Sequence, residues 1–132
     1  MRKLLPIFAS VLAYEADIIS DIPGLKKSPI FKSYSGYLNA SSDHKLHYFF
    51  TESQRPREDT PLLVWFNGGP GCSSLLGLFT ELGPFYLDKN APNEVFMKDF
   101  AWNNVAHTLF IESPIGVGFS YSESEQRPYA RA

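Results

Sequence analysis

Asn67-Gly68-Gly69-Pro70-Gly71-Cys72-Ser73-Ser74 is the densest chemical signal in this sequence. Three of the first five residues are glycines, so no side chains keep a ligand away from the backbone. The loop follows an apolar run, Leu62-Leu63-Val64-Trp65-Phe66. The carboxyl end of a buried strand is where open α/β sheets bind ligands. Backbone N–H groups of such a loop, joined by those of a following helix start, can converge on negative charge. Two phosphate-binding readings fail. No Lys-Ser/Thr pair follows the glycines, and Pro70 interrupts the spacing of a dinucleotide fingerprint. A developing oxyanion in acyl transfer remains. A plain tight turn is the competing reading.

Several elements must position that loop. Leu62 to Phe66 reads as a strand buried on both faces of a mostly parallel sheet. Ser73 to Leu82 reads as a helix, with apolar residues at helical spacing and Gly83-Pro84 ending it. Ser73 and Ser74 are read as its caps rather than as nucleophiles. His107 to Ile111 reads as a second buried strand, closed by Glu112-Ser113-Pro114 and a loop through Gly116 and Gly118. That loop either borders a substrate cleft or is a tight connection. Upstream, Phe31–Leu38 and Leu46–Thr51 flank the turn formers Asn39-Ala40-Ser41-Ser42-Asp43, which predicts a hairpin. Asp88 to Glu94 reads as a turn. Strand, glycine-rich turn, helix and buried strand together predict an α/β architecture.

Composition narrows the classes. The 132 residues carry 12 Lys+Arg against 14 Asp+Glu, a net charge of −2, so no broad basic field invites nucleic acid. At 44% hydrophobic residues there is ample apolar surface to offset chain entropy, which argues against disorder. The length suits one domain, or a piece of a larger one. The single cysteine, Cys72, excludes an intrachain disulfide and any multi-cysteine metal site. Residues 1–13 open with Met1-Arg2-Lys3, continue apolar and end in Val11-Leu12-Ala13, the pattern of a secretory signal too short to span a membrane. An apolar start that packs on the domain is the alternative. Asn39-Ala40-Ser41 is a glycosylation sequon on the predicted turn. His44-x-x-His47 lacks a third ligand and reads as two surface histidines. Neither a metal nor a cofactor is expected.

Trp65-Phe66-Asn67-Gly68-Gly69-Pro70-Gly71-Cys72-Ser73-Ser74, Glu81-Leu82-Gly83-Pro84-Phe85, Trp102-Asn103 and Ile111-Glu112-Ser113-Pro114-Ile115-Gly116-Val117-Gly118-Phe119-Ser120-Tyr121-Ser122 occur in that order. Together they resemble the serine carboxypeptidases, over about Asp17 to Ser122. Residues 123–132 are polar and lose the likeness. The resemblance implies the N-terminal portion of an α/β-hydrolase fold with an incomplete central sheet. It also implies release of C-terminal amino acids through a Ser–Asp–His triad. Carried over by position, Gly69 supplies one oxyanion N–H. Asn67 and Gly68, supported by Trp65, bind the terminal carboxylate of the substrate, and Glu81 matches a glutamate near the cleft. Cys72 matches a cysteine whose disulfide partner lies far downstream. An amide and a backbone N–H can donate to a carboxylate without a buried counter-charge.

No Gly-x-Ser-x-Gly occurs in the sequence; Gly118-Phe119-Ser120-Tyr121-Ser122 lacks the final glycine. By position, His44, His47 and His107 cannot serve as the triad histidine. The expectation is therefore a carboxypeptidase segment holding the oxyanion and carboxylate loop but not the triad. By itself it would be inactive, with an unpaired, aggregation-prone edge at Leu62–Phe66. The expected partners are peptides with a free C-terminal carboxylate, and the expected location is the secretory pathway, lysosomal, vacuolar or secreted. Two alternatives stand: a family acyltransferase using the same oxyanion hole, and a non-catalytic secreted peptide-binding fragment.

Overall fold

The computed structural model describes residues 15–124. The expected signal at 1–13 lies outside them, as does most of the polar stretch 123–132. The described residues form seven strands: β1 (Ser33–Asn39), β2 (His44–Thr51), β3 (Leu62–Trp65), β4 (Phe85–Asp88), β5 (Ala91–Met97), β6 (His107–Ile111) and β7 (Tyr121–Ser122). The main sheet runs β1-β2-β6-β3, with β7 on the same side of β2 as β6. β1, β6 and β7 are antiparallel to β2, and β3 is parallel to β6, so the sheet is mixed.

The expected hairpin forms with shifted bounds, β1 starting at Ser33 rather than Phe31 and β2 at His44 rather than Leu46, with Ser33 opposite Thr51 and Asn39 opposite Lys45. Alternation then sorts the side chains onto two faces. On one face Phe31, Leu78, Leu82, Phe85 and Phe110 form a buried cluster joined by Phe49, Leu63 and Trp65. Each such fully buried large side chain contributes about 1.5–3 kcal/mol relative to exposure. On the other face Tyr34, Tyr48 and Phe50 pack with Leu109 and Ile111. The hydroxyls at its rim are satisfied: Tyr48 donates to Asp17 at 2.6 Å and Tyr34 to Glu52 at 2.9 Å.

Four expectations are corrected. First, β3 is not buried on both faces: Leu62, Val64 and Phe66 are 41%, 44% and 54% exposed. β3 pairs only with β6 among the described residues, and only its Leu63 and Trp65 side packs on the first cluster. Second, the Ser73–Leu82 helix is shorter and wider than its apolar spacing predicts. It comprises Leu75 and Leu76 in α geometry, then a π-helical turn over Gly77–Glu81, closed by Leu82 and Gly83 N–H groups that both reach the Gly77 carbonyl, at 3.0 and 3.1 Å. The Gly77 N–H is drawn to the side-chain oxygen of Asn67, 3.2 Å away, instead of to the preceding turn. Such a bulge often marks a functional position.

Third, Asp88–Glu94 is mostly strand, because β4 and β5 pair about a turn at Lys89-Asn90. The turn-forming residues Asp88, Asn90, Pro92 and Asn93 dominate the local pattern. Pairing of Tyr86 with Phe96, their rings stacked at 5.2 Å, and burial of Phe85 override it. Fourth, His47 is not a surface histidine but is buried. His44 and His47 sit three residues apart in a strand and therefore project to opposite faces, which also separates them as metal ligands.

Candidate active site

The glycine-rich loop leaves β3 and turns beneath the π-helical segment. Its first residue, Asn67, is oriented by three hydrogen bonds. Its Oδ1 accepts from Trp65 Nε1 at 2.7 Å and from the Gly77 N–H at 3.2 Å, and its Nδ2 donates to Glu81 Oε1 at 3.1 Å. With the amide oxygen occupied twice, the second Nδ2 hydrogen is left for a ligand. Sequence reasoning named Trp65, Asn67 and Glu81 separately, and the fold joins them into one array. Gly77 was not singled out, yet it is required there. A Cβ at this position would overlap the Trp65 indole and crowd Asn67 Oδ1.

Gly68 and Gly69 follow on the exposed side of the loop. A Cβ on Gly68 would meet nothing within 4 Å, so the space above this peptide is open. Gly69 has φ of +140° and Gly71 +96°, conformations that favour glycine. The Gly69–Pro70 peptide is cis. Cys72 is exposed and is a free thiol among the described residues.

Ser73 does more than cap, and Ser74 is not the cap its position predicts. Ser73 Oγ accepts the Leu75 N–H at 3.2 Å, a local turn-capping bond, but it also donates to Glu112 Oε1. Ser74 is buried and does not cap the π-helical turn that follows: its Oγ accepts the Asn67 N–H at 3.1 Å and donates to the Ile111 carbonyl at 2.6 Å. That hydroxyl therefore ties the ends of β3 and β6 together.

Glu112 is the residue that sequence reasoning missed. It follows β6, is fully buried, and accepts from His47 Nδ1 at 2.9 Å, from the Phe119 N–H at 2.8 Å and from Ser73 Oγ. Burial opposes its charge, but hydrogen bonds from His47, Phe119 and Ser73 outweigh it and hold the carboxyl below the usual glutamate range. Gly118, at φ +54°, makes room: a Cβ there would overlap the Glu112 carboxylate. Between β6 and β7 the chain leaves the β2 edge, and Ser120 Oγ repairs the gap. It accepts the His47 N–H at 2.8 Å and donates to the Glu112 carbonyl at 2.6 Å. The 112–120 loop is thus a tight connection built around a buried carboxylate.

Lys98 also reaches this region, donating from Nζ to the Glu81 carbonyl at 3.0 Å, and burial lowers its pKa against the pull of Glu81. Asn39, the sequon residue, ends β1 on the exposed hairpin tip, where its Oδ1 accepts from Lys45 Nζ at 2.8 Å. No helix among the described residues is long and apolar enough to cross a membrane.

Known proteins resemble this chain over most of its length. Residues 23–131 match the family model described as serine carboxypeptidase, a match that runs beyond Ser122. Serine carboxypeptidase ctsa-4.1 of Caenorhabditis elegans is 48% identical over 129 residues, covering 92% of this chain and 27% of that protein. The lysosomal protective protein of Mus musculus is 50% identical over 115 residues, covering 86% and 24%. Among solved structures, a prohormone-processing carboxypeptidase from Saccharomyces cerevisiae, Kex1(Δ)p, superposes with a TM-score of 0.65 at 29% identity, over 79% of this chain and 24% of that one. The chain thus spans about a quarter of the length of these relatives. By this match across most of its length, the chain belongs to the serine carboxypeptidase family.

Proposed function

We propose that this chain supplies the oxyanion donor and the carboxylate clamp of a serine-type carboxypeptidase of α/β-hydrolase architecture. The nucleophile, aspartate and histidine of the triad come from residues outside this sequence. The observation that carries the reading is the Trp65–Asn67–Glu81 array, which presents an Asn67 Nδ2 hydrogen beside the open Gly68 peptide and the exposed Gly69. In this reading Asn67 Nδ2 and the Gly68 N–H hold the terminal carboxylate of a peptide, with Trp65 and Glu81 fixing the amide. The Gly69 N–H stabilises the oxyanion of the tetrahedral intermediate. A donor aimed at developing charge contributes several kcal/mol to catalysis, commonly about 2.7–4.

The same reading makes residues 17–122 one portion of the catalytic domain and residues 1–13 a secretory signal. It gives Cys72 a disulfide partner beyond this sequence and routes the protein through the secretory pathway to a lysosome, vacuole or the exterior. The test begins with the transcript downstream of the Ala132 codon. The protein it encodes should contain a Gly-x-Ser-x-Gly elbow and hydrolyse a blocked dipeptide with a free C-terminus but not its amide. Hydrolysis of both alike would refute the clamp. A product lacking the elbow and inactive on either substrate would refute the enzyme reading.

A further inference from the structure

The oxyanion and carboxylate loop has almost no side chains of its own with which to hold its shape. Gly68, Gly69, Pro70, Gly71 and Cys72 are all exposed, and the loop's internal backbone bond, from the Cys72 N–H to the Gly68 carbonyl, is 3.3 Å long. What anchors it lies underneath, at Ser73 and Ser74. Ser74 binds neutral backbone groups, whereas Ser73 donates to an ionised carboxylate, and charge-assisted hydrogen bonds are roughly twice as strong as neutral ones.

The Glu112 carboxylate is itself immobilised. His47 Nδ1 and the Phe119 N–H hold one oxygen from two different segments, and Ser73 takes the other. His47 is braced in turn. Its Nε2 lies 2.8 Å from Ser35 Oγ, and its ring packs edge-on to Phe119 and Tyr37 at 5.2 and 5.6 Å. The relay from the β1–β2 hairpin through His47 and Glu112 to Ser73 therefore has one end in the rigid sheet and the other in the glycine-rich loop.

We propose that Glu112 is a positioning residue for the glycine-rich loop, acting through Ser73 to set the direction of the Gly68 and Gly69 N–H groups. The proposal deepens the carboxypeptidase reading and rests on it only for its kinetic arm. Removing the Ser73 hydroxyl should loosen the loop while leaving the buried His47–Glu112 contact in place. Restoring a hydroxyl should restore the loop.

The experiment compares wild type, Ser73→Ala and Ser73→Thr in the protein produced from the complete transcript. Amide hydrogen exchange is followed in peptides covering the loop and covering β2, and steady-state kinetics are measured on a blocked dipeptide. Ser73→Ala should accelerate exchange of the Cys72 amide, whose N–H is bonded to the Gly68 carbonyl, about tenfold or more with β2 unchanged, and Ser73→Thr should stay within about twofold of wild type. kcat should fall about tenfold in Ser73→Ala and KM should rise with it, because the Gly69 N–H acts in the transition state whereas the Gly68 N–H binds the substrate carboxylate. Unchanged loop exchange in Ser73→Ala would overturn the proposal. So would equal acceleration of loop and β2, which reports only lost global stability, or a loosened loop with unaltered kcat. An inactive wild type would count against the carboxypeptidase reading, and the exchange comparison would still decide the positioning role.

Discussion

His47 Nδ1 and Glu112 Oε2 lie 2.9 Å apart although 65 positions separate the two residues in the chain. Both side chains are buried, with 8% and 0% of their surface exposed. Taking a carboxylate out of water costs several kcal/mol, and here three further groups share the compensation: the Phe119 N–H, Ser73 and, on the far side of the imidazole, Ser35. The contact joins β2 to the segment after β6 where their regular ladder ends. It also lies directly beneath the loop that carries the candidate chemistry.

Breaking this contact from one side should be costly. His47→Ala leaves a buried carboxylate short of a partner and is expected to destabilise the fold by about 3–5 kcal/mol, read as a lower urea midpoint. The double change His47→Leu with Glu112→Met should recover part of that loss. A single truncation costing less than about 1 kcal/mol would show that the pair contributes little.

Acid should weaken the fold. The folded-state carboxyl of Glu112 lies below its ordinary value of 4.5, and Asp43, hydrogen-bonded by Ser124 and Ser41, is lowered from 3.8 to about 2. For depressed carboxyls the unfolded chain binds more protons, so stability rises with pH. The contribution is complete above the ordinary carboxylate values and disappears as pH falls through the folded ones. Denaturant midpoints measured between about pH 2.5 and pH 6 should rise with pH, and Glu112→Gln should flatten that rise. A slope that Glu112→Gln leaves unchanged would assign the effect to other carboxylates.

Gly77→Ala tests the clamp without touching a group that faces the substrate. The added methyl has to displace the Trp65 indole or the Asn67 amide, both of which close on Gly77 in the native packing. Overpacking of this kind costs about 1–3 kcal/mol. In the active protein KM should rise about tenfold with a smaller change in kcat, since uniform binding is what is lost. An unaltered KM would separate Gly77 from the clamp.

Asn67→Asp should be worse than Asn67→Ala. It would set a carboxylate against Glu81, whose Oε1 now accepts from Asn67 Nδ2 at 3.1 Å, and would add a negative charge facing an anionic substrate. Like charges at that range raise a carboxyl pKa. KM should therefore rise about a hundredfold near neutral pH and partly recover in acid. Equal defects in the two variants at every pH would argue that charge plays no part.

The free edge of β3 should template association of the isolated chain. Leu62, Val64 and Phe66 project from it into solvent, with no strand beyond it among the described residues. Val64→Lys places a charge on that edge and should slow aggregation, followed by light scattering, with little effect on folding. Aggregation at the wild-type rate would locate the sticky surface elsewhere, such as around exposed Phe100 and Trp102.

Much of the site could be read one segment at a time. Three glycines around Pro70, an apolar run before them and long shared motifs named the loop and Trp65, Asn67 and Glu81. Local pattern also predicted the β1–β2 hairpin, because alternation and turn formers act within a few residues. It failed at Asp88–Glu94, where cross-strand pairing outweighs a run of turn-forming residues. It failed as well at Ser74 and His47, whose partners come from elsewhere in the chain.

The sequence by itself determined the chemistry on offer and the approximate positions of β1, β2, β3 and β6, since both depend on residue type and short-range periodicity. Only the tertiary structure decided what each polar group faces. The parallel register of β3 on β6 brings Ser74 to the Ile111 carbonyl, and the antiparallel register of β2 on β6 brings His47 to Glu112. A carboxylate looks the same in sequence whether solvated or buried. Two donors from distant segments, His47 and Ser73, and one from its own loop, the Phe119 N–H, make Glu112 the support of a loop that has almost no side chains to support itself.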